Sequence, residues 1–434
     1  MRIERRSWDG DDPRRLAAEL RAAAAAELPA GITAAVAETI AAVRTGGDAA
    51  VVELGERFDG ARATSLRVAE EELVEALAGL DPGLRAALER SAANISAVAA
   101  AQTPTAWLPE PDAAAIEIEE VAVGAAGIYA PGGRSPYPSS VLMGVIPALV
   151  AGVERVAVAS PPGAGGLPHP AILAAARIAG ATEVYAIGGA QAVAAFAYGT
   201  ASVAAVDVVA GPGSPWVQEA KLQCSRVVGI DGYAGPSELL VICDDAAEPE
   251  PIALDLLAQA EHGADSPLVV VADGQRALDA VATAVAALAA ERPSAADARL
   301  DLIAAPAIDD ALALAEAYAP EHVELVCAGP AAAARRLSTP GCIFVGHRSA
   351  VAFGDYAAGS NHILPTGGAG RFSGPLGPGT FRRRICRVTI DAQAARSLAP
   401  TVDVVARAEG FPVHGESALA RADEDASDPG EQAS

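Results

Sequence analysis

An α/β fold with mostly parallel sheets is predicted by three features of this 434-residue sequence. From residue 119 onward, short apolar runs of strand length alternate with alanine-rich stretches of helix length, the pattern of βαβ units. Glycine- and proline-rich loops bound these runs, as in APGGRSPYPSS, IGGAQ, AGPGS and AGPSE. Half of the residues are apolar (51%) but few are aromatic (4%), so the chain can bury more than one core by packing small helices closely on sheets.

Taken in order, residues 1–29 read as an N-terminal arm, charged at MRIERRSWDGDD and then alanine-rich near 17–26, which predicts helix. Residues 30–101 form a helical lead-in. ITAAVAETIAAVRTGG ends on glycines, and PGLRAALERSAANISAVAAAQ opens on proline. The runs VAVGAAGIYAP, RVAVASPPG, EVYAIGG and VDVVAGPG predict one sheet within 123–234. ELLVICDD, PLVVVADG, LDLIAAP, VELVCAGP and CIFVG predict a second. The expected division is two Rossmann-like domains, with 123–234 inserted into a discontinuous α/β domain made of 30–122 and 235–373. A C-terminal tail at 374–420 and a disordered end, RADEDASDPGEQAS from 421 to 434, complete the chain.

In open α/β sheets, ligands bind beyond the carboxyl ends of strands, where helix N-termini favour anionic groups, so the glycine-rich loops are candidate binding edges. The same loops also serve as plain tight turns. No G-x-G-x-x-G follows any predicted strand, so a nucleotide would be held without the usual fingerprint.

The net charge of −24 argues against a general binder of nucleic-acid backbone. The charged start lacks the apolar core of a signal peptide, and no later stretch reads as a membrane span, so a soluble cytoplasmic protein with no membrane partner is expected. Cys224, Cys243, Cys327, Cys342 and Cys386 show no C-x-x-C spacing and read as reduced thiols.

Four of the six histidines sit in short polar clusters: QAEH at 259–262, PEH at 320–322, GDYAAGSNH at 354–362 and EGFPVH at 409–414. Imidazole, carboxylate and amide are the groups that bind divalent cations through N and O and that move protons near neutral pH. PEPIALDLLAQAEHGAD predicts a helix on which Gln259 falls inside the apolar stripe of Ile252 and Leu256, with His262 a turn beyond. A buried amide without a partner costs roughly 1–3 kcal/mol, so either the core supplies hydrogen bonds or this helix end faces a polar site. Adjacent Glu321 and His322 suit a water activator beside a base, a metal ligand with its orienting partner, or a solvated loop pair. Asp355, His362, Glu409 and His414 add oxygen and nitrogen donors from a loop and a tail, a set that would fit zinc or a similar ion. His169 and His347 lack carboxylate neighbours and read as ordinary loop histidines.

From about residue 30 to 415 the chain resembles the histidinol dehydrogenase family. The resemblance rests on GIYAPGGRSPYPSSVLM (127–143), IGGAQA (187–192), AGPGS (210–214), VGIDGYAGPSE (228–238), LLAQAEHGAD (256–265), APEH (319–322) and GDYAAGSNHILPT (354–366), in that order. It implies an NAD-dependent oxidation of L-histidinol to L-histidine, the last step of histidine biosynthesis, through an aldehyde, with one zinc per active site. By match to the family's motifs the zinc ligands would be Gln259, His262, Asp355 and His414, holding the substrate's imidazole and amino nitrogens in place. His322 would be the general base in both hydride transfers, and Glu321 would activate water to attack the aldehyde. Ser237, His362 and Glu409 would contact substrate. Tyr129, Gln191 and Ser214 would contact the nucleotide, with serine replacing the family's usual asparagine. The inserted segment 123–234 would then be the nucleotide-binding domain, and 235–373 would carry the metal and catalytic motifs. The resemblance also implies a homodimer whose tails are exchanged, so that each 374–420 segment completes the other subunit's site.

Three other readings follow from the same residues. A related dehydrogenase would act on another small alcohol, a zinc hydrolase would use Glu321 as its base, and a cysteine-nucleophile aldehyde dehydrogenase would use Cys243 or Cys327. Nothing electropositive flanks either cysteine in sequence, which disfavours the last of these.

Overall fold

The computed structural model of the chain describes residues 1–24, 29–63, 65–102, 115–132, 135–295 and 298–422. It opens with β1 (Arg2–Ser7), α1 (Pro13–Ala24), α2 (Ile32–Asp59), α3 (Glu70–Ala78) and α4 (Pro82–Ala101). Next come β2 (Ala115–Ala122), β3 (Ala125–Tyr129), α5 (Pro138–Val150), β4 (Arg155–Ser160), α6 (Pro170–Ala179), β5 (Glu183–Ala186) and α7 (Gly189–Tyr198). They are followed by β6 (Val208–Ala210), α8 (Pro215–Cys224), β7 (Gly229–Ile230), β8 (Leu239–Cys243), α9 (Pro249–Ala260), β9 (Leu268–Ala272) and α10 (Gln275–Ala289). The chain continues through β10 (Arg299–Ala304), α11 (Ile308–Tyr318), β11 (His322–Val326), α12 (Pro330–Ala334), β12 (Cys342–Val345) and α13 (Val351–Tyr356), and ends with β13 (Arg382–Thr389), α14 (Ala392–Ala408) and α15 (Pro412–Leu419).

Two compact units result. The first comprises Met1–Thr103 and Val123–Phe381, the second Pro104–Ala122 and Arg382–Ser434. Unit 1 holds two fully parallel sheets, ordered β5-β4-β3-β6-β7 and β1-β10-β9-β8-β11-β12. Their central strands are buried along their whole length, which is why they read as unbroken apolar runs rather than as alternating ones.

Several segments attach differently from the expected division. β1 extends the six-stranded sheet by pairing with β10, and α1 packs on α11 through buried Leu16, Ala17 and Leu20. The arginine-rich RIERRS fits because the strand lies at a sheet edge, where Arg6 pairs with Asp301 at 3.0 Å. Helices α2, α3 and α4 cover the helices of the five-stranded sheet, meeting α7, α6 and α5 respectively, rather than joining 235–373. The aliphatic faces they bury, such as Val36, Ile40, Val43 and Val51 of α2, belong to the core that also contains Val193 and Phe196 of α7.

In unit 2, β2 and β13 form an antiparallel ribbon, and α14 packs on α15. Cross-strand charge pairs flank the backbone ladder: Arg384 Nε donates to Glu120 Oε1 at 3.0 Å, and Arg387 pairs with Glu119. The tail expected at 374–420 therefore divides, since residues through Phe381, which is buried, belong to unit 1. Most of the expected disordered end, 423–434, lies outside the described residues. Among the described residues no helix is long and apolar enough to cross a membrane.

Candidate active site

A cavity of about 710 Å³ in unit 1 is lined from both sheets. The five-stranded sheet contributes the loops after β3 and β6: Pro131 and Ser135 from one, Gly211 to Ser214 from the other. The six-stranded sheet contributes the opposite edge, the residues that lead into its strands: Ser237 before β8, Asp265 before β9, and Glu321 with His322 at the start of β11. His262, Asp355 and His362 complete this wall. A larger cavity, about 810 Å³ beside α1 and α11, contains none of the expected site residues.

His322 and Glu321 are both buried, so neither is a solvated loop residue. The His322 Nδ1 lies 3.0 Å from the carbonyl oxygen of Glu238. A carbonyl only accepts, so Nδ1 carries a proton, and Nε2 is the nitrogen that is bare whenever the ring is neutral. That Nε2 has no hydrogen-bond partner and stands 3.6 Å from Asp355 Oδ1, an ion contact rather than a hydrogen bond. Burial alone would lower the imidazole, but the charges of Glu321 and Asp355 outweigh it and lift His322 to about 9. Burial also pushes Glu321 up, to about 7, against the opposing pull of His322 and of the Glu238 N–H, which donates to Glu321 Oε2 at 2.8 Å.

Asp355 and His362 are fixed by their surroundings. Burial works to raise Asp355, yet the imidazoles of His322, His362 and His262 hold its carboxyl below the usual range. His362 Nδ1 donates to the Asp355 carbonyl at 3.0 Å, so its Nε2 accepts from the Ser140 hydroxyl at 2.8 Å. Burial keeps His362 below its ordinary value, and does the same for His262, which opens on the cavity just past α9. Gln259, one helical turn earlier, is 2% exposed and its amide Nε2 has no partner, so the core does not satisfy this group.

The expected nucleotide residues divide in two. Ser214 is exposed on the cavity as the N-cap residue of α8, with no side-chain cap hydrogen bond. Tyr129 and Gln191 are buried together at the end of β3 and the start of α7. The Tyr129 hydroxyl accepts from Gly189 N–H at 3.1 Å, and Gln191 Nε2 donates to Asp59 Oδ2 at 3.2 Å. Burial lifts Asp59 to about 6. The loop between them depends on Gly211, whose φ is +121° and where a β-carbon would overlap the Tyr129 carbonyl.

Glu409 and His414 belong to unit 2, the latter on α15 with its ring centroid 5.5 Å from that of Phe411. Among the described residues no group of three or more His, Cys, Asp or Glu side chains is placed to hold a metal. Gln259, His262 and Asp355 provide only two donors of those types. His262 and Asp355 interact electrostatically, and an imidazole with a carboxylate, joined by an amide oxygen such as that of Gln259, is a donor chemistry that suits a cation with N and O ligands.

Sequence reasoning did not single out Ser140, Glu238, Lys221 or Asp231. Lys221 Nζ is buried 2.5 Å from Asp231 Oδ1 and donates to the Gly211 carbonyl, while Asp231 Oδ2 accepts from Gly211 N–H, so this ion pair clamps the AGPGS loop at both ends of one residue. Cys243 and Cys327 are buried, and burial raises both thiols, Cys243 to about 12, the opposite of an activated nucleophile.

A buried imidazole beside a buried carboxylate of raised pKa, both at the wall of a cavity, is the arrangement of an α/β enzyme that moves protons. A family model described as histidinol dehydrogenase matches residues 23–422. Histidinol dehydrogenases of Natronomonas pharaonis and Thermobifida fusca are 45% and 44% identical over 411 and 393 residues, spanning 92% and 87% of this chain and 97% and 89% of their own lengths. The crystal structure of histidinol dehydrogenase from Elizabethkingia anophelis matches with a TM-score of 0.89 at 29% identity, covering 97% of this chain and 98% of that one. The chain belongs to the histidinol dehydrogenase family, and it is an oxidoreductase.

Proposed function

We propose that this protein oxidises L-histidinol to L-histidine with NAD, by two successive hydride transfers through the aldehyde, as the last step of histidine biosynthesis in the cytoplasm. The observation that carries the reading is the Glu321–His322 pair, with one nitrogen of His322 tied to a carbonyl and the other bare at the cavity wall. His322 Nε2 takes the alcohol proton as the first hydride leaves carbon. Glu321, pushed up to about 7 by burial, accepts a proton from water as that water attacks the aldehyde carbon, while protonated His322 returns its proton to the aldehyde oxygen, giving the hydrate and freeing Nε2. His322 then removes a hydrate proton as the second hydride leaves. Bound NAD supplies the hydride acceptor. Tyr129, Gln191 and Ser214 are the residues we assign to it.

Zinc, when bound, would supply a Lewis-acidic anchor for the substrate's nitrogens, and Gln259, His262, Asp355 and His414 of the partner subunit are the ligands we assign. Engagement of Asp355 by a cation would remove one cause of the raised His322 value and bring this base nearer neutral pH, where proton transfer is most effective. Ser237, His262, His362 and Glu409 are assigned to the substrate. Partner-supplied Glu409 and His414 require a homodimer with exchanged tails. Unit 2 has the surface for it: Val404, Phe411 and Val413 are 68%, 57% and 68% exposed, an apolar face that a second copy would cover.

The test is NADH formation from L-histidinol by purified full-length protein, with zinc content measured in parallel. Two NADH per histidinol and retained zinc are expected. NADH from a different alcohol alone would move the substrate, and no NADH from any alcohol would favour a zinc hydrolase with Glu321 as base.

A further inference from the structure

We propose that Arg21, on the N-terminal helix α1, is a positioning residue for the Glu321–His322 pair, acting through the buried carboxylate of Glu238. This inference rests on the reaction proposed above. Its physical basis is a chain of contacts that begins outside the cavity. Arg21 Nη1 donates to Glu238 Oε1 at 2.8 Å, and its Cζ lies 4.0 Å over the Tyr318 ring. The same guanidinium donates to the Tyr318 and Ala319 carbonyls, Nε to Tyr318 at 3.2 Å and Nη2 to Ala319 at 3.2 Å. Those are the last carbonyls of α11, which the helix itself leaves without partners and where a cation is favoured. Ala319 stands in the left-handed region, φ +48°, so the chain turns sharply here before Pro320, Glu321 and His322. One side chain thus secures the turn that delivers both reacting groups.

Glu238 completes the link. Its Oε2 accepts from Glu321 N–H at 3.2 Å, its own N–H donates to Glu321 Oε2, and its carbonyl accepts from both His322 N–H and Nδ1. Gly367 N–H also donates to Oε1 at 3.0 Å. Glu238 is 3% exposed, and Arg21 is the cation that pairs with it. Without that cation the Glu238 carboxylate would lie buried and unpaired, tied to Glu321 by two reciprocal backbone hydrogen bonds, and its charge would press Glu321 further toward the protonated form. The Glu238 charge already counts among the causes that raise Glu321. A protonated Glu321 cannot accept a proton from water, whereas His322 would still be aligned by the Glu238 carbonyl. Loss of Arg21 therefore falls chiefly on the oxidation of the aldehyde.

The experiment compares Arg21→Gln, Arg21→Lys and the Arg21→Gln/Glu238→Gln double variant in the full-length protein. NADH formation is followed from L-histidinol and, separately, from the aldehyde, together with thermal unfolding. Arg21→Gln should slow aldehyde oxidation by at least about tenfold, a fraction of the roughly 10²–10⁴ that a positioned base contributes, with KM changed less than about twofold and alcohol oxidation much less affected. Arg21→Lys restores the charge and should recover part of the loss. The double variant removes the unpaired carboxylate and should oxidise the aldehyde faster than Arg21→Gln alone, a coupling expected of residues that act through one another. A double variant no better than the single one, or equal loss in both oxidations that follows the melting temperature, overturns the inference. Should Arg21→Gln fail to fold, the lysine and double variants still decide it by the same rate ratio. A parent that forms no NADH from histidinol overturns the assigned reaction, and with it this role for Arg21, whatever the variants do.

Discussion

The two sheets present opposite ends to the same cavity. The five-stranded sheet offers the carboxyl ends of β3 and β6, so the N-termini of α5 and α8 border the space; the six-stranded sheet offers the starts of its strands, so the C-termini of α9 and α11 do. Helix N-termini favour negative charge and C-termini positive charge. One wall thus suits a phosphate-bearing nucleotide, while the other suits a metal cation or a protonated imidazole. The residue types differ accordingly: hydroxyls, glycines and the Lys221–Asp231 pair on the first wall, the imidazoles of His262 and His322 and the carboxylates of Glu321 and Asp355 on the second. The usual rule that ligands lie beyond strand carboxyl ends describes only half of this site.

The largest effects are expected on the imidazole and carboxylate wall. His322→Asn removes the bare nitrogen and should lower kcat for both oxidations by about 10²–10⁴. Glu321→Gln keeps the shape and the acceptor toward Glu238 N–H but cannot take a proton, so it should retain much of the alcohol step and lose the aldehyde step by a similar factor. Steady-state NADH formation from each substrate checks both. Equal damage from the two substitutions would mean that proton removal and water activation are not divided between adjacent residues.

How much of this contrast can be read from the sequence depends on how far apart the partners lie. The strands of both sheets are legible because a buried parallel strand is an unbroken apolar run, as in LVVVA. The string AGPSE drew attention to Ser237 yet not to its neighbour Glu238, whose cation comes from 217 positions away. β1 is hidden because an edge strand tolerates arginines that a central strand would not. The Lys221–Asp231 clamp is equally silent, since nothing in QEAKLQ or GIDGY says that they meet at Gly211. The amide of Gln259 on its apolar stripe was readable as an anomaly, because burial of an unpaired amide has a known cost.

A second, smaller effect separates catalytic charge from charge stored in the core. Glu324 on β11 and Asp255 on α9 are buried and hydrogen-bonded to each other, and burial followed by the Asp255 charge lifts Glu324 to about 9 from an ordinary 4.5. The folded protein therefore keeps a proton that the unfolded chain releases. This contribution is complete below about pH 4.5 and is lost as pH rises through about 9. Glu324→Gln should flatten the dependence of unfolding free energy on pH across that window and gain roughly 1–3 kcal/mol over the parent at its alkaline end. Denaturant unfolding at several pH values reads this out directly. A variant whose stability still falls as steeply as the parent's would place the retained proton on another group.

The smallest effect is expected on the nucleotide wall, where Ser214 opens α8 without using its hydroxyl as a cap. Asparagine at that position would keep a good N-cap while adding an amide that both donates and accepts. Ser214→Asn should therefore lower KM for NAD by about two- to tenfold, the worth of one added hydrogen bond of roughly 0.5–1.5 kcal/mol, and leave kcat unchanged. The asymmetry of the two walls makes the measurement informative. A gain confined to KM would show that this wall only holds the nucleotide, whereas a change in kcat would mean that the α8 terminus also sets the geometry of hydride transfer, and the separation of binding from chemistry between the sheets would have to be abandoned.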